Sequence, residues 1–514
     1  MKKYIFILNT FIITGLLTLN SCDDFLDEPT SKTTSIEVKT AEQLDALLGN
    51  VSSFYQMINK TTIYGTDDYE ISLELYNAGP NNFSITDAQY FTWNVDGVAA
   101  DSKRGNFWTS EYKKIFTANL VLNNLGKVSG SDNLKKELEA ESHLVRAYSY
   151  LELANVYCLP YTEANKSELG LPLKQTVSFE ELSSRNTLEE TYALIESDLT
   201  AAAAITTPLM KGSRVRSWRG NTAALNAIAA RYWLLRNNYG KALEFANNAL
   251  AEHHDLVDYN TEMRYSDKQY TYIINNSDPD KKETVEVKYP YTFVNQSDLS
   301  DMIGWKEFYY FRLIQHDSWW YVPSKELISI YEENPYDLRR KYHVIDEYSY
   351  EQGRLTDPAF PYPGYVFFFK DRIPEGPTVA EMYLIKAECL ARQDQVGKAM
   401  IELNTLRKAR IDKAHYQDES AANKEEAITK ILKERRREMP FSARWADIRR
   451  YNNNEDPNDD VEVKRVFYPY SSAAILSSET PIEYTLKKDS RRWAAPIPDT
   501  EPISSNGGIK QNTY

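Results

Sequence analysis

Residues 137–160 read ELEAESHLVRAYSYLELANVYCLP, and their apolar residues recur at helical spacing. One face carries small and large apolar side chains in turn: Leu144, Ala147, Tyr148, Leu151, Ala154 and Cys158. Asp132 can cap the start of this helix. Leu159-Pro160 ends it, because proline lacks an N–H and disfavours helical geometry in the residue before it. The pattern predicts a long helix that packs against other helices.

Two later stretches, Ala223–Leu250 and Ala380–Leu406, have the same character and predict helical hairpins. Each reads as a helix, a short turn and a second helix, and each turn ends in Gly-Lys-Ala, at residues 240–242 and 397–399. Alanines at helical spacing let two helix axes approach closely, as in tetratricopeptide repeats. About 130 residues of aromatic, loop-rich sequence separate the two hairpins. The sequence therefore predicts a mainly α fold, a tetratricopeptide-like hairpin scaffold with irregular, partly β insertions.

The N-terminus is typical of an exported lipoprotein. Lys2 and Lys3 precede an apolar run from Tyr4 to Leu19 that is too short to span a membrane. A small residue just before Cys22 and an apolar one three positions before it resemble a bacterial lipobox. In such a sequence the cysteine is acylated, with palmitate for example, and acyl chains hold a protein on a membrane without a spanning helix. A plain signal peptide with an incidental cysteine is the alternative.

Net charge and cysteine content exclude several classes of protein. The formal charge is −14, and −16 without Lys2 and Lys3, which argues against nucleic acid as a partner. Besides Cys22 the chain has only Cys158 and Cys389, and both lie on apolar helix faces. This placement favours two buried thiols over a disulfide, although export would permit a bridge.

The predicted hairpins are spread from end to end of the chain, so we expect one large domain. The predicted organisation is a lipoprotein signal peptide (1–21), a lipid-anchored tether (22–40) and a single domain (41–514). Within that domain we expect an N-terminal helical part (41–254), a loop-rich insertion (255–377) and a C-terminal helical part (378–514).

Local patterns place further elements. Ala41–Ile58 predicts a helix, whereas Thr61–Gly105 predicts irregular surface structure, where binding residues are common. Thr187 and Glu190 have the spacing of a capping box ahead of another helix. Lys424–Met439 predicts a helix that ends before Pro440, and short runs such as Tyr270–Ile274 predict strands.

The segment Glu434–Asp447 is densely charged, which predicts ion pairs that join the last helices to the scaffold. Paired carboxylates would also suit a surface glycosidase, the least favoured alternative, but 74 acidic residues make candidate pairs unspecific. The sequence contains no catalytic or phosphate-binding motif, and its six histidines show no metal-ligand spacing. It therefore predicts no catalytic residue, no metal, no cofactor and no enzymatic activity.

Two segments have the composition of a sugar-binding site. Sugars present apolar C–H faces rimmed by hydroxyls, so their sites need exposed flat aromatics with Asp, Asn, Gln or Arg at the edges. Asn81–Trp93 and Trp305–Tyr321 both supply that mixture.

Four motifs together point to one family. They are SCDDFLDEPT at 21–30, LVRAYSYLELANVY at 144–157, ILKERRREMPFSARWADIRRY at 431–451 and RRWAAPIPDTEPISSN at 491–506. The chain thereby resembles the SusD/RagB lipoproteins of the Bacteroidetes outer membrane, over essentially the whole mature sequence. The third motif is the most specific, because it is a long ordered string. Pro440 and the tail after Asn506 depart from the family pattern and leave open how the C-terminus packs.

The resemblance implies a lipid-anchored protein of the cell surface and outer membrane, attached through Cys22. It also implies capture of an oligosaccharide or polysaccharide and its delivery to a SusC-like TonB-dependent transporter. Family members often contact ligands with aromatics from the segments that correspond to those before Trp108 and before Pro323. The expected ligand-binding residues are therefore Trp93, Trp305, Trp319 and Trp320, with Asn82 and Asp317 as hydroxyl partners.

Two alternatives stay open at this point. Each of the four tryptophans could equally be a core residue. The protein could also be a helical-repeat lipoprotein scaffold that binds peptides or proteins, and the sequence does not specify which glycan is bound.

Overall fold

The structure, a computed structural model, describes most of the chain from residue 38 onwards. The described ranges are 38–80, 83–101, 106–178, 184–265, 270–274, 283–287, 290–291, 299–316, 321–346, 362–368 and 371–514. Between 270 and 291 only the backbone is described. The predicted signal peptide, Cys22 and the tether up to residue 37 lie outside these ranges.

Helices dominate the described residues, which contain eighteen of them. They are α1 (Ala41–Leu48), α2 (Lys60–Tyr64), α3 (Leu73–Ala78), α4 (Ile85–Phe91), α5 (Val95–Ala100), α6 (Phe107–Asn124), α7 (Asp132–Tyr157), α8 (Leu188–Ala202), α9 (Thr222–Leu235), α10 (Tyr239–Glu252), α11 (Leu299–Ile303), α12 (Lys325–Glu332), α13 (Leu338–His343), α14 (Val379–Arg392), α15 (Val396–Arg410), α16 (Lys424–Glu438), α17 (Arg444–Tyr451) and α18 (Thr500–Ser504).

The strands in the described ranges are short and form small separate sheets. They are β1 (Gln56–Met57), β2 (Met210–Lys211), β3 (Arg214–Val215), β4 (Arg264–Tyr265), β5 (Tyr270–Ile274), β6 (Glu283–Val287), β7 (Pro290–Tyr291), β8 (Leu313–Gln315), β9 (Val344–Ile345), β10 (Gly364–Tyr365), β11 (Arg372–Pro374), β12 (Val463–Phe467) and β13 (Ile482–Leu486). The predicted mainly α hairpin scaffold with partly β insertions is confirmed.

Helix α7 is the helix predicted from residues 137–160, and its apolar face is buried. Ser131 caps it, because its side chain accepts a hydrogen bond from the Leu134 N–H; the predicted cap, Asp132, is instead the first helical residue. Arg146 and Glu152, which point away from the apolar face, are buried as well because α6 and α8 pack on either side. This helix therefore forms the centre of the N-terminal bundle.

Helices α9 and α10 form the hairpin predicted for Ala223–Leu250, and α14 and α15 form the hairpin predicted for Ala380–Leu406. The prediction that the turns end in the Gly-Lys-Ala triplets is wrong. Both triplets lie inside helices, in the first turns of α10 and α15. The chain reverses earlier, at Asn237 and Asp394, whose φ angles of 53° and 60° are left-handed. Helix α10 packs on α14, where alanines of the α9–α10 hairpin meet larger apolar side chains of α14: Val379, Met382, Ile385 and Cys389.

Cys158 and Cys389 are buried free thiols, as predicted. They belong to two different apolar clusters, one around α7 and one between α10 and α14. Burial raises the pKa of both thiols, so they remain protonated at neutral pH.

The helix predicted for Ala41–Ile58 is wrong beyond Leu48. The chain turns at Gly49, and Gln56–Met57 becomes β1, which runs parallel to β8 with Gln56 opposite Leu313. Strand β11 pairs antiparallel with the other edge of β8. Pairing with a distant strand satisfies backbone groups that a longer helix would have satisfied locally. The small sheet thus ties the N-terminal part of the chain to the insertion.

The prediction of irregular structure between Thr61 and Gly105 is also wrong in part, because four short helices, α2 to α5, lie there. Each begins at a polar cap whose side chain accepts a backbone N–H: Asn59, Ser72, Ser84 and Asn94. Such residues favour both turns and helix starts, which explains the error.

The charged segment Glu434–Asp447 forms buried ion pairs, as predicted. Arg435 pairs with Glu381 of α14, and Arg436 pairs with Asp68 of the loop after α2, at 3.2 and 2.7 Å. Further buried pairs join Glu434 to Arg339 and Arg407, and Glu438 to Arg339 and Arg410. Helix α16 is therefore held to four other parts of the chain: the loop after α2, α13, α14 and α15.

The C-terminal tail, whose packing the sequence left open, lies against the end of α7. The Asn512 side chain donates hydrogen bonds to the carbonyls of Tyr157 and Ala495, and the Tyr514 hydroxyl donates to Ala494.

Candidate ligand-binding face

Trp93, an expected ligand contact, is buried with 6% of its surface exposed. Its backbone is left-handed, at φ 54°, which turns the side chain inward after α4. There its indole N–H donates to the Gly65 carbonyl at 2.9 Å, and its ring lies in a cluster with Trp445 and Trp493. A buried indole needs such an acceptor, so this position is that of a core tryptophan.

Trp305, also expected to contact ligand, is 3% exposed. Its ring meets Phe367 and Phe368 edge to face, with centroids 5.1 and 5.5 Å away. It borders a small enclosed cavity of about 60 Å³ between the insertion and the C-terminal helices. Trp305 therefore takes the core position that the sequence analysis kept as the alternative.

The other four expected contacts, Asn82, Asp317, Trp319 and Trp320, lie outside the described residues. His316, the described residue directly before Asp317, lies close to helix α2. His316 stacks edge-on against Tyr64, at 5.3 Å between ring centroids, at one end of α2. At the other end of this helix, about 6 Å long, Lys60 pairs with Asp101 at 2.9 Å. Helix α2 thus lies between Asp101 and the buried His316, which are far apart in sequence.

An open cleft of about 700 Å³ lies between α4, α5 and the loop after β12, with Asp101 in its lining, and is called the α4–α5 cleft below. Its polar lining combines an aromatic, a hydroxyl, two amides and two carboxylates: Tyr470, Thr86, Gln89, Asn94, Asp96 and Asp101. This is the mixture of groups that a sugar requires.

Tyr470 is held firmly in the wall of the α4–α5 cleft. Its ring stacks on Tyr484 at 6.2 Å with 15° between the planes, and its hydroxyl contacts the Thr92 hydroxyl. Burial raises the pKa of Tyr470, so the hydroxyl remains a hydrogen-bond donor at neutral pH. The opposite wall depends on Asn94, whose side-chain oxygen caps α5 by accepting the Gly97 N–H at 2.7 Å.

A second open cleft, of about 680 Å³, lies between the loop after α2, the start of α12 and β12, and is called the β12 cleft below. Charged side chains dominate its rim: Glu70, Glu74, Lys325, Glu326, Glu462 and Lys464. Backbone hydrogen bonds join two of its walls, since Glu70 donates to Val322 and Ser324 donates to Asp68, at 3.0 and 2.7 Å.

The acids deepest in the β12 cleft are already paired. Burial by itself would raise the pKa of Asp67. The positive charges of Arg444 and Arg436 outweigh burial and hold this pKa well below its usual range. Arg444 binds both carboxylate oxygens of Asp67, at 2.7 and 2.6 Å. Burial raises the pKa of Glu70, against the opposing charge of Arg465. Asp67 therefore serves as an ion-pair partner, which fits a structural role better than acid or base chemistry.

Sequence reasoning missed Tyr470 and only indirectly included Gln89. Gln89 lies inside the segment Asn81–Trp93 that the composition singled out, so a search for amides there would have found it. Tyr470 lies more than three hundred residues away, and nothing in its own neighbourhood, YPYSS, marks it as a wall of this cleft. Its assignment depends on the tertiary structure.

The helical hairpins and two open polar clefts are typical of a repeat scaffold that binds a ligand at its surface. A family model described as SusD-like, "Starch-binding associating with outer membrane", matches residues 24–234, and a SusD family model matches residues 379–514. The chain belongs to the SusD/RagB family, whose members are in general binding proteins.

Solved structures share the fold at low sequence identity. A SusD superfamily protein from Bacteroides thetaiotaomicron VPI-5482 is 18% identical, with a TM-score of 0.58 over 92% of this chain and 100% of its own. Another from Bacteroides vulgatus ATCC 8482 is 18% identical, with a TM-score of 0.61 over 92% and 99%. A "Laminarin binding SusD-like protein" is 16% identical, with a TM-score of 0.57 over 92% and 99%. A search of curated proteins found no match.

Two other features, membrane-spanning helices and metal-binding groups, are absent from the described residues. None of the helices there is both long and apolar enough to cross a membrane. No group of three or more His, Cys, Asp or Glu side chains in those ranges is arranged to hold a metal ion.

Proposed function

We propose that this protein captures an oligosaccharide or polysaccharide at the cell surface. The α4–α5 cleft carries the proposal, because it brings the Tyr470 ring together with amide, hydroxyl and carboxylate side chains in one open groove. An aromatic ring packs on the C–H face of a sugar, and the polar groups bind its hydroxyls. Membership of a family described as starch-binding supports the same conclusion.

The proposed ligand contacts are Tyr470 and Gln89, together with Asn82, Asp317, Trp319 and Trp320. The composition of their segments and the family resemblance support these last four. Trp93 and Trp305 are not among the proposed contacts, since both rings are buried.

We further propose that acyl chains on Cys22 anchor the protein to the outer membrane and that it delivers its ligand to a SusC-like TonB-dependent transporter. The lipobox-like sequence and the family description, which places the family at the outer membrane, support this proposal. The transporter would supply the energy for uptake, and this chain would supply the binding site.

The first experiment measures binding of the anchor-free protein, residues 23–514, to polysaccharides in affinity gels. Starch and laminarin head the panel, followed by other plant, microbial and host polymers. We expect retardation by one polymer class, and at least about tenfold weaker binding by Tyr470→Ala and by Trp319→Ala/Trp320→Ala, a loss of about 1.4 kcal/mol. Tyr336→Ala is the matched control, because Tyr336 is also exposed but stacks on His415 and lines neither cleft.

Two results would contradict the proposal. One is the absence of retardation by every polymer in the panel, which would favour a peptide ligand. The other is unchanged binding by folded Tyr470→Ala and Trp319→Ala/Trp320→Ala variants, which would place the site elsewhere on the protein.

A further inference from the structure

The α4–α5 cleft and the β12 cleft share structural elements. Helix α4 contributes Gln89 to the first cleft and Phe91, two residues later, to the second. Likewise β12 contributes Val466 to the second cleft, and the loop after it contributes Tyr470 to the first. The two clefts therefore lie on either side of one ridge, built from the end of α4 and the segment after β12.

This ridge is rigid. The Arg465 guanidinium donates to the carbonyls of Tyr64 and Phe91, and so joins the ends of α2 and α4 to β12. It also packs over the Phe91 ring, 3.8 Å from its centroid, and Phe91 in turn meets Phe467 edge to face. A ligand that touches both clefts meets a fixed spacing between them.

The linings of the two clefts come close together along the chain. Val466 and Tyr470 are four positions apart, so their Cα atoms lie no more than about 14 Å apart. Each cleft, at about 680 and 700 Å³, is by itself the size of a site for one small ligand. A single sugar unit can occupy one cleft, whereas only a chain of several units can cross the ridge and occupy both.

The β12 cleft also has suitable chemistry for sugar hydroxyls. Carboxylates such as Glu74 and Glu462 accept hydrogen bonds, and ammonium groups such as Lys464 donate them. Val466, with 53% of its surface exposed, adds an apolar patch in the same cleft.

We infer that the β12 cleft is a second subsite for the glycan bound in the α4–α5 cleft, so that the ligand is an extended chain of sugars. This inference rests on the proposed function. It commits the protein to a polymer or a long oligosaccharide, and excludes a mono- or disaccharide as the preferred ligand.

The test measures affinity against chain length by calorimetry. Oligosaccharides of two, four, six and eight units are cut from the polymer that the gel panel identifies, as malto-oligosaccharides from starch or laminari-oligosaccharides from laminarin. We expect the longest chain to bind at least about tenfold more tightly than the disaccharide, because engaging a linked second site raises overall affinity. The affinity should increase at the oligosaccharide length that first reaches the β12 cleft.

A pair of variants assigns the gain to the β12 cleft. Val466→Arg obstructs that cleft and should abolish the gain for long chains while leaving the affinity for short ones unchanged. Ile482→Arg is the matched control, since Ile482 is 46% exposed on the adjacent strand but lines neither cleft. Glu74→Ala, at an exposed position of the same cleft, is a second probe that does not depend on added bulk.

Equal affinity for all chain lengths in the wild-type protein would overturn the second subsite, as would a full gain retained by folded Val466→Arg and Glu74→Ala variants. In either case binding of short chains would persist and the proposed function would stand. Absence of binding at every length, by contrast, would overturn the proposed function together with this inference.

Discussion

Burial next to Arg231 changes the pKa of a carboxyl group at the centre of the bundle, that of Glu152. This guanidinium faces three carboxylates, Glu381 at 2.6 Å, Glu375 at 3.4 Å and Glu152 at 3.9 Å. Burial, and then the neighbouring charge of Glu375, raises the pKa of Glu152 well above its ordinary value, although Arg231 opposes the shift. Glu152 is the most distant of the three acids from Arg231, and its raised pKa favours the protonated form.

The raised pKa of Glu152 makes stability depend on pH. Because the folded state binds this proton more tightly than the unfolded chain, the stabilisation is complete below about 4.5 and is lost as pH rises through the raised pKa. Glu152→Gln keeps the shape and cannot ionise. We therefore expect its free energy of unfolding, from urea titrations at pH 5 and pH 9, to fall less than that of the wild type. Parallel pH dependence of the two proteins would contradict this assignment.

Helices α4 and α5 form one wall of the α4–α5 cleft. They contact each other at Gly97 of α5, which has no side chain. A Cβ atom at Gly97 would lie 2.2 Å from Cδ of Gln89, so the Gln89 amide rests directly on the α5 backbone. The Asn94 side chain caps α5 by accepting the N–H of this same glycine. The position of Gln89 in the cleft therefore depends on this glycine.

Gly97→Ala should separate binding from stability. Alanine is the better helix former by up to about 1 kcal/mol, so the melting temperature should stay or rise, while the displaced Gln89 amide should cost about 1 kcal/mol of glycan affinity. Gly397→Ala in α15 is the control, because a Cβ atom there meets nothing within 4 Å. Unchanged affinity in Gly97→Ala would show that Gln89 does not contact the ligand.

Across the whole molecule, arginines of α16 connect parts of the chain that are far apart in sequence. Arg436 binds Asp68, 368 residues away, at 2.7 Å, and also Glu326 of α12 at 2.6 Å. Asp68 is fully buried, and its other carboxylate oxygen accepts the Phe441 N–H. One guanidinium thus holds the loop after α2, the start of α12 and the end of α16 together beneath the β12 cleft.

Arg436→Met should lower the free energy of unfolding by about 3 kcal/mol or more, because it leaves the Asp68 carboxylate buried without its cation. Lys433→Met removes a charge from the same helix, but Lys433 pairs with Glu333 at a solvent-exposed position, so its loss should stay within about 1 kcal/mol. Urea unfolding of both variants measures the difference. Equal effects would mean that Arg436 contributes no more than a surface ion pair.

Local periodicity and capping carried much of the fold prediction. The spacing of Leu144, Ala147 and Leu151 placed α7, and Thr187 with Glu190 gave a capping box that the structure contains. These patterns succeed because a helix satisfies its own backbone within a few residues. The same local reasoning failed at Gln56–Met57, whose partner β8 is more than 250 residues away, and at Asn59 and Ser84, where caps and turns use the same residue types.

The sequence by itself determined the helical hairpins, the buried thiols, the ion pairs of α16 and the family, because each depends on residue spacing or on an ordered motif. Only the tertiary structure decided which aromatics are available to a ligand. Composition singled out the segment of Trp93 and not that of Tyr470, yet Trp93 is buried, with a left-handed φ angle, and Tyr470 lines an open cleft. Exposure is set by what packs against a side chain, and those neighbours come from distant parts of the chain.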